Sequence, residues 1–496
     1  MAGTALTSPV KKRDAQSFVL GLSLYITIIY LPFATAVPMS FSSSQYRLVV
    51  ATCCVLVAGM TLISGFATKT PLIIVPALGT TFLIAPFLTQ LNWLTLSLSC
   101  LSAGIIAAFL GASGLRRHLL DHLPPEILMG IRAAIGTLIG SSAIATLQEC
   151  AGRNGHTQPD LLYVGFVIAV IALSLWDRLS DLLALVMTVP KNPVFRALTQ
   201  LHYIAVPVAL ALFCYWSGFE MDSGLGHVPS GMAPLTESAQ LLMAVPLTFS
   251  MAFILITDIP GHPYEFLSRS PSMQQKLDRD DDLRDKQIER GFLVDALGAG
   301  VSAGLIGFHI PIAPSIYVAE NAVAHEFEWT SYGGATVAAI CFLATGLALF
   351  AFPQAVTLAG GYITLGVTPV LFFIAIKMVS RSMFIGVDLV SELVPEYVEG
   401  GKRALGAERR KRAHVTSAEA LDFYVPGALM ILLTFTRVGL SLSLPVGIVA
   451  SSILRYSRKK RRSNEEETAP EVNGTLFTFA FISIIFWIAV HLGSGS

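Results

Sequence analysis

Three acidic residues sit in stretches that have no water-facing surface to offer them. Asp258 closes the apolar run Met251–Thr257, Glu320 follows the proline-broken stretch Pro311-Ile312-Ala313-Pro314, and Asp295 lies about one turn inside an apolar run over 291–308. A carboxyl group at membrane depth is costly, and such groups mark substrate paths, ion paths and proton relays. A carboxyl that takes up a proton when it is sealed from water can couple proton binding to substrate movement. His262 follows Asp258 by four residues, a spacing that puts carboxylate and imidazole on one side of a helix, although Pro260 falls between them. Plainer readings stand beside these: an acid solvated at a helix end for Asp258 and Glu320, a helix–helix hydrogen bond for Asp295, and a structural histidine for His262.

The composition decides what kind of chain must position these groups. Of its 496 residues 13% are charged and 53% are hydrophobic. Soluble proteins carry about 25% charged residues, so this chain cannot cover a water-facing surface of its own. It reads as an all-α polytopic membrane protein whose outer face is solvated by lipid, with about fourteen or fifteen spans at roughly 20 residues each. The net charge is zero, which gives nucleic acid no footprint. The six cysteines lie mostly in apolar runs with no CxxC or Cys/His spacing, so neither a metal site nor a disulfide framework is indicated. No catalytic triad and no phosphate loop appears, so the chain reads as a non-enzyme without a cofactor.

Two apolar runs are interrupted. Pro71, Pro76 and Pro86 break the run over 71–88, and Pro311 and Pro314 break the region over 309–325. Proline removes a backbone donor and disrupts a helix, and unwound backbone at membrane depth is tolerated only where it is buried in protein or lines a cavity. Each interrupted segment is the third span of its half if the chain is cut near residue 230. Paired breaks at matching places suggest an inverted repeat with a substrate site at the repeat interface; two ordinary proline kinks are the alternative. Lys and Arg set the topology. With the N-terminus inside, Lys11, Lys12, Arg13, Lys69, Arg116, Arg117, the basic residues of 269–290 and 402–412, and Arg455 to Arg462 all fall on the cytoplasmic side, leaving Arg47, Arg153 and Arg437 outside. The charge-rich stretches 265–290 and 395–420 read as cytoplasmic connectors, and 177–200 as an amphipathic insertion on the membrane.

Several short motifs carry a resemblance. Asp258-Ile-Pro-Gly-His262 resembles the eighth-span Glu-x-x-Gly-His of uracil and xanthine permeases, the nucleobase–ascorbate transporters. Ile316-Tyr-Val-Ala-Glu320-Asn321 resembles their tenth-span Tyr-Gly-Glu-Asn, and Pro76-Ala-Leu-Gly79-Thr-Thr-Phe82 their third-span Gly-Ser-Ser-Phe. Leu123-Pro124-Pro125 with Met129-Gly130 and Ile135-Gly136 resembles the start of their fifth span, and Ala34-Thr35 ahead of Val37-Pro38 the first. Asp422-Phe423 is similar to the adenine/guanine/hypoxanthine branch. The departures are Asp for Glu at 258, Pro260 inside the motif, His309 where small residues are usual, insertions at 177–200 and 380–420, and a fifteenth apolar segment.

What the resemblance implies is fourteen spans in two inverted seven-span repeats, forming a core and a gate domain, often as a homodimer. The expected divisions are a cytoplasmic tail over 1–15, a first repeat over 16–218, a second over 240–456, a charged linker over 457–474 and an extra C-terminal apolar segment over 475–492. The carried-over substrate contacts are Asp258, His262, Glu320 and Phe82, with Ala34 lining the site and backbone at Ala319 hydrogen-bonding; Asn321, Asp295 and Thr81 are secondary candidates. A nucleobase has a flat face on which Phe82 could stack and ring N–H groups that carboxylates accept. The expected function is therefore proton-coupled symport of a nucleobase (uracil, xanthine or another purine) in a plasma or bacterial inner membrane. Glu320 or Asp258 is the expected proton carrier, and sodium coupling is disfavoured. The alternative is an anion transporter or exchanger of the sulfate or bicarbonate type on the same inverted-repeat fold.

Overall fold

The structure is a computed structural model that describes residues 9–36, 43–68, 72–88, 91–113, 125–153, 159–186, 201–217, 219, 236–258, 281–310, 312–313, 315, 317–320, 333–352, 362–380, 417–435, 439–461 and 474–493. Among them the chain is helical except for one two-stranded sheet. In order the elements are α1 (Pro9–Ile28), α2 (Tyr30–Ala36), α3 (Ser43–Thr68), β1 (Ile73–Pro76), α4 (Leu78–Ile84), α5 (Trp93–Ala112), α6 (Pro125–Arg153), α7 (Pro159–Val186), α8 (His202–Trp216) and α9 (Glu237–Asp258). There follow α10 (Asp281–Gly307), β2 (Tyr317–Glu320), α11 (Gly333–Ala351), α12 (Tyr362–Ser380), α13 (Ser417–Phe435), α14 (Gly439–Arg461) and α15 (Gly474–Gly493).

Eight helices of the described residues are long and apolar enough to cross a membrane, and five more are apolar over shorter lengths. The protein is an integral multi-pass membrane protein. Hydropathy rather than periodicity writes these helices. On α5, Leu94, Leu98, Leu101, Ile105, Ile106 and Phe109 are exposed while Leu96, Cys100, Ala103 and Ala107 are buried. Apolar side chains on both faces fit a helix with protein on one side and lipid tails on the other. The ends are capped locally. Asn92 Oδ1 accepts the Thr95 N–H at 2.8 Å to start α5. Helix α10 stops where the Ile310 N–H reaches back to the Leu305 carbonyl and the His309 N–H to the Ile306 carbonyl. This closing loop needs a left-handed residue after the last turn, and His309 supplies it at φ 56° where glycine is usual. His309, which departs from the expected small-residue stretch, is thus an exposed helix cap.

The chain divides into two compact units. The first holds 1–114, 141–234 and 251–373, the second 115–140, 235–250 and 374–496. In the first, α3 packs on α11, α5 on α10, α1 on α11 and α7 on α8; in the second, α13, α14 and α15 pack in series. The α5–α10 contact is close because Gly104 meets the Ala296 carbonyl and Ala299, and Ser97 donates to the Ala303 carbonyl at 2.8 Å.

Both interrupted segments are present and differ from a simple kinked helix. The first is a strand, a two-turn helix and a 3-10 turn over Ala85–Phe87; the second contributes a strand. β1 and β2 pair antiparallel with Ile73 opposite Glu320, Ile74 opposite Ala319, Val75 opposite Val318 and Pro76 opposite Tyr317. Pairing satisfies the backbone groups that the prolines deny to a helix, which is how irregular backbone survives away from water. Two further expectations shift. Helix α7 continues through Val186, so the start of the 177–200 insertion extends a helix, and α10 begins at Asp281, inside the expected 265–290 connector. The remainder of both stretches, and most of 395–420, lies outside the described residues.

Candidate functional site: the crossing of two broken segments

β1 lies against α3 and β2 against α10, so the strand pair is held between two long helices of the first unit. Tyr317 anchors it. Its ring is fully buried, its hydroxyl donates to Cys53 Sγ of α3 at 3.5 Å, and its Cβ passes close to Gly298 of α10. A Cβ on residue 298 would come within 2.9 Å of the Tyr317 Cβ, so the strand can approach α10 only over glycine. On the other side the Ile74 N–H donates to Thr61 Oγ1 of α3 at 3.1 Å.

At the Pro76–Tyr317 end of the pair, hydroxyl groups from both segments converge. Thr80 Oγ1 lies 2.8 Å from Ser315 Oγ, a contact that joins residues 235 apart in the chain. The Ala77 carbonyl accepts from Ser315 Oγ at 3.1 Å, Thr80 Oγ1 at 3.0 Å and Thr81 Oγ1 at 3.1 Å. The Thr81 N–H also points to that oxygen at 3.1 Å. All three hydroxyl residues are fully buried. Four donors on one carbonyl exceed the two lone pairs it offers. The hydroxyls therefore compete for this carbonyl and for one another, a buried polar junction whose bonds could exchange to a solute with several acceptor oxygens.

The candidate residues fall around this crossing unevenly. Phe82 and Thr81 are buried on α4, and Ala34 is buried on α2, which packs on both β1 and α4. Ala319 and Glu320 lie on β2, with Glu320 at the Ile73 end. Tyr317 and Glu320 are three residues apart, which on a strand is about 10 Å, so the hydroxyl cluster and Glu320 occupy opposite ends of the pair. Asp295 is fully buried on α10, one turn from Gly298. Asp258 is the last residue of α9 and belongs to the same compact unit. His262 and Asn321 lie outside the described residues. Among the described residues no group of three or more His, Cys, Asp or Glu could hold a metal ion.

Thr80 and Ser315 escaped the sequence reading. The signal was a hydroxyl residue beside each break: Thr80 four residues after Pro76, and Ser315 directly after Pro314.

No protein-family profile matches the chain, and no curated protein does. Solved structures do align. The transmembrane domain of a cyanobacterium bicarbonate transporter, BicA, aligns at 14% identity with a TM-score of 0.49, covering 86% of this chain and 97% of that one. The murine anion transporter Solute Carrier 26 family member A9, in an inward-facing state, aligns at 10% identity and TM-score 0.49, covering 90% of this chain and 69% of that one. The assignment to the nucleobase–ascorbate transporters is therefore corrected: no family profile and no curated protein carries it. The physical reason is that much of the quoted motifs, apart from Asp258, His262, Tyr317, Glu320, Asn321 and Phe82, is proline, glycine, small residues and hydroxyls. Those are the residues that any chain needs to unwind, pair and restart a helix inside a membrane, whatever it carries.

Proposed function

We propose that the protein is a secondary transporter of a small anion, working by alternating access, with the anion held at the crossing of the two broken segments. The observation that carries this reading is the fully buried hydroxyl cluster of Thr80, Thr81 and Ser315, shared between two interrupted segments that pair across 235 residues of chain. Hydroxyl and backbone N–H groups donate to an anion, and no Lys or Arg occurs in 71–88 or 309–325. Neutral donors favour a solute that must be released as readily as it is bound. The aligned proteins are a bicarbonate transporter and an anion transporter, the same broad class of cargo.

Fourteen crossings in two inverted repeats belong to the same proposal. Its support is that contacts come in related pairs: α3 on α11 and α5 on α10, β1 on α3 and β2 on α10. Exchanging the second and fourth spans of each half for those of the other half turns each contact into its partner.

Coupling follows from charge. An ionised carboxylate about 10 Å from a bound anion costs about 1.7 kcal/mol at an effective dielectric of 20. Protonating Glu320, or Asp258 as the alternative, removes that cost, so proton and anion bind cooperatively. Transport is then anion–proton symport, which is equivalent to exchange of the anion for hydroxide.

The test is uptake into proteoliposomes of labelled bicarbonate, sulfate, chloride and uracil, each with and without an inward proton gradient. Saturable uptake of at least one anion, raised by the gradient, is expected. Uptake of uracil with no anion transported or competing would overturn the reading.

A further inference from the structure

Helix α14 runs unbroken from Gly439 to Arg461. Its apolar stretch covers Ser441–Leu454, and from Arg455 to Arg462 six of eight residues are Lys or Arg: Arg455, Arg458, Lys459, Lys460, Arg461 and Arg462. No acid interrupts them. From Leu454 to Arg461 a helix rises about 10 Å, which exceeds the roughly 5–7 Å of headgroup layer on one side of a bilayer. The two residues within this run that are neither Lys nor Arg, Tyr456 and Ser457, are exposed, Tyr456 at 71%. Exposed tyrosine at the end of an apolar helix marks headgroup depth.

We propose that this end of α14 is a docking surface for anionic lipid headgroups of the leaflet from which it emerges. The argument is charge complementarity placed at the right depth. Arg455, Arg458 and Lys459 follow the i, i+3, i+4 spacing of one helix face, and Lys460 and Arg461 continue around it. Positive charge at a helix C-terminus also complements the negative end of its dipole, but that effect fades within one turn and is satisfied by one or two cations. Six exceed it. The acids Glu465, Glu466 and Glu467 follow later and leave a net charge of +3 over 455–467. Helix α14 carries five of these six basic residues, Arg455 to Arg461, whereas the other basic run, Arg409 to Arg412, lies outside the described residues. The proposal rests on α14 emerging from the membrane and not on the identity of the transported solute.

The experiment uses the full chain in nanodiscs of phosphatidylcholine with phosphatidylserine, and reads retained anionic lipid by native mass spectrometry and by energy transfer from labelled headgroups. Each cation near an anionic surface contributes about 1 kcal/mol, about five-fold in affinity. Single changes Arg458→Gln, Lys459→Gln and Arg461→Gln should each lower phosphatidylserine enrichment about five-fold. Ser457→Asp, which subtracts one charge without removing a cation, should give a similar loss. Raising salt from about 0.1 M to about 1 M shortens the Debye length from about 10 Å to about 3 Å and should erase the enrichment. Single variants keep five of the six cations, so orientation in the membrane is preserved; a C-terminal tag checks it. Equal enrichment in wild type and all single variants overturns the proposal. So does displacement of the lipid by soluble glycerol phosphate, which would mark a free-phosphate site instead of a bilayer surface.

Discussion

Hydroxyl side chains behave in two ways in this protein. Along the regular helices they turn back on their own backbone: Thr27 donates to the Ser23 carbonyl, Ser99 to Thr95, Thr146 to Ser142, Thr345 to Cys341, Thr368 to Thr364 and Ser452 to Ile448. Each of these bonds spans four residues and uses a carbonyl already in the helix ladder. At the crossing, Thr80 also meets Ser315, and Ser315 reaches across 238 residues of chain to the Ala77 carbonyl, which already accepts the Thr81 N–H. A back-bonded hydroxyl is committed to its own helix, whereas Thr434 of α13 donates to Ser443 of α14 and Thr61 of α3 accepts from Ile74. A buried hydroxyl beside a break can be recruited by something else. The count of Ser and Thr in a span says little about function, whereas their place relative to an interruption says much.

The strongest way to break this comparison is to remove the shared hydroxyls. Thr80→Val and Ser315→Ala preserve size closely. A hydrogen bond to a charged group contributes about 1.5–3 kcal/mol, so each change should weaken anion affinity about ten- to hundred-fold, and the double variant should abolish uptake. Protein that inserts, folds and transports normally without both hydroxyls would show that the cluster only fastens the two segments together. Measuring thermal stability alongside KM separates fastening from binding.

The second test moves the strands rather than the hydroxyls. Gly298→Ala puts a methyl group within 2.9 Å of the Tyr317 Cβ on β2. Overpacking of this kind costs about 1–3 kcal/mol. The melting temperature should fall and transport should fall with it, because β2 cannot retreat without opening its pairing to β1. By contrast Gly300, where an added Cβ would meet nothing within 4 Å, should accept alanine without loss.

How much of this could be read in the amino-acid sequence follows from where the determinants lie. Pro71, Pro76, Pro311 and Pro314 announce the breaks because proline acts locally, on its own donor and on the preceding turn. The long helices are legible from runs of apolar residues for the same reason. The strand register is not: Ile73 opposite Glu320 is a contact between residues far apart, set by the walls of α3 and α10 and by the glycine at 298. Thr80 and Ser315 were hidden by that same distance, and their types alone mark neither as special. The family resemblance failed for a related reason, since local geometry can repeat a motif whose substrate contacts lie elsewhere.

A smaller effect separates the two ends of the strand pair. Glu320→Gln keeps the shape and removes the ionisable group. If Glu320 carries the proton, uphill uptake driven by a proton gradient should be lost, while anion-for-anion exchange persists within about twenty-fold of wild type, since the coupling is about 1.7 kcal/mol. The direction is fixed: with the acid intact, lowering the external pH should raise uptake, and in Glu320→Gln the dependence should flatten. Asp258→Asn provides the comparison. The variant that flattens the pH profile identifies the carrier, and an unchanged profile in both would remove the carboxylates from coupling.

The smallest expected effect is the control on which the comparison depends. Ser99→Ala removes a buried hydroxyl from α5, as Ser315→Ala does from the crossing. In the helix, however, the lost bond runs to Thr95, whose carbonyl keeps its partner in the backbone ladder. Such back-bonding adds little and slightly destabilises the helix. No polar group is orphaned by the change, and alanine has the better helix propensity by a few tenths of a kcal/mol. The void left by one oxygen on a fully buried residue works the other way and is of similar size. Melting temperature, KM and maximal rate should therefore all stay close to wild type. A loss of anion affinity in Ser99→Ala approaching that of Ser315→Ala would mean that helix hydroxyls are not committed to their own backbone. The crossing would then have no special claim as the place where the solute binds.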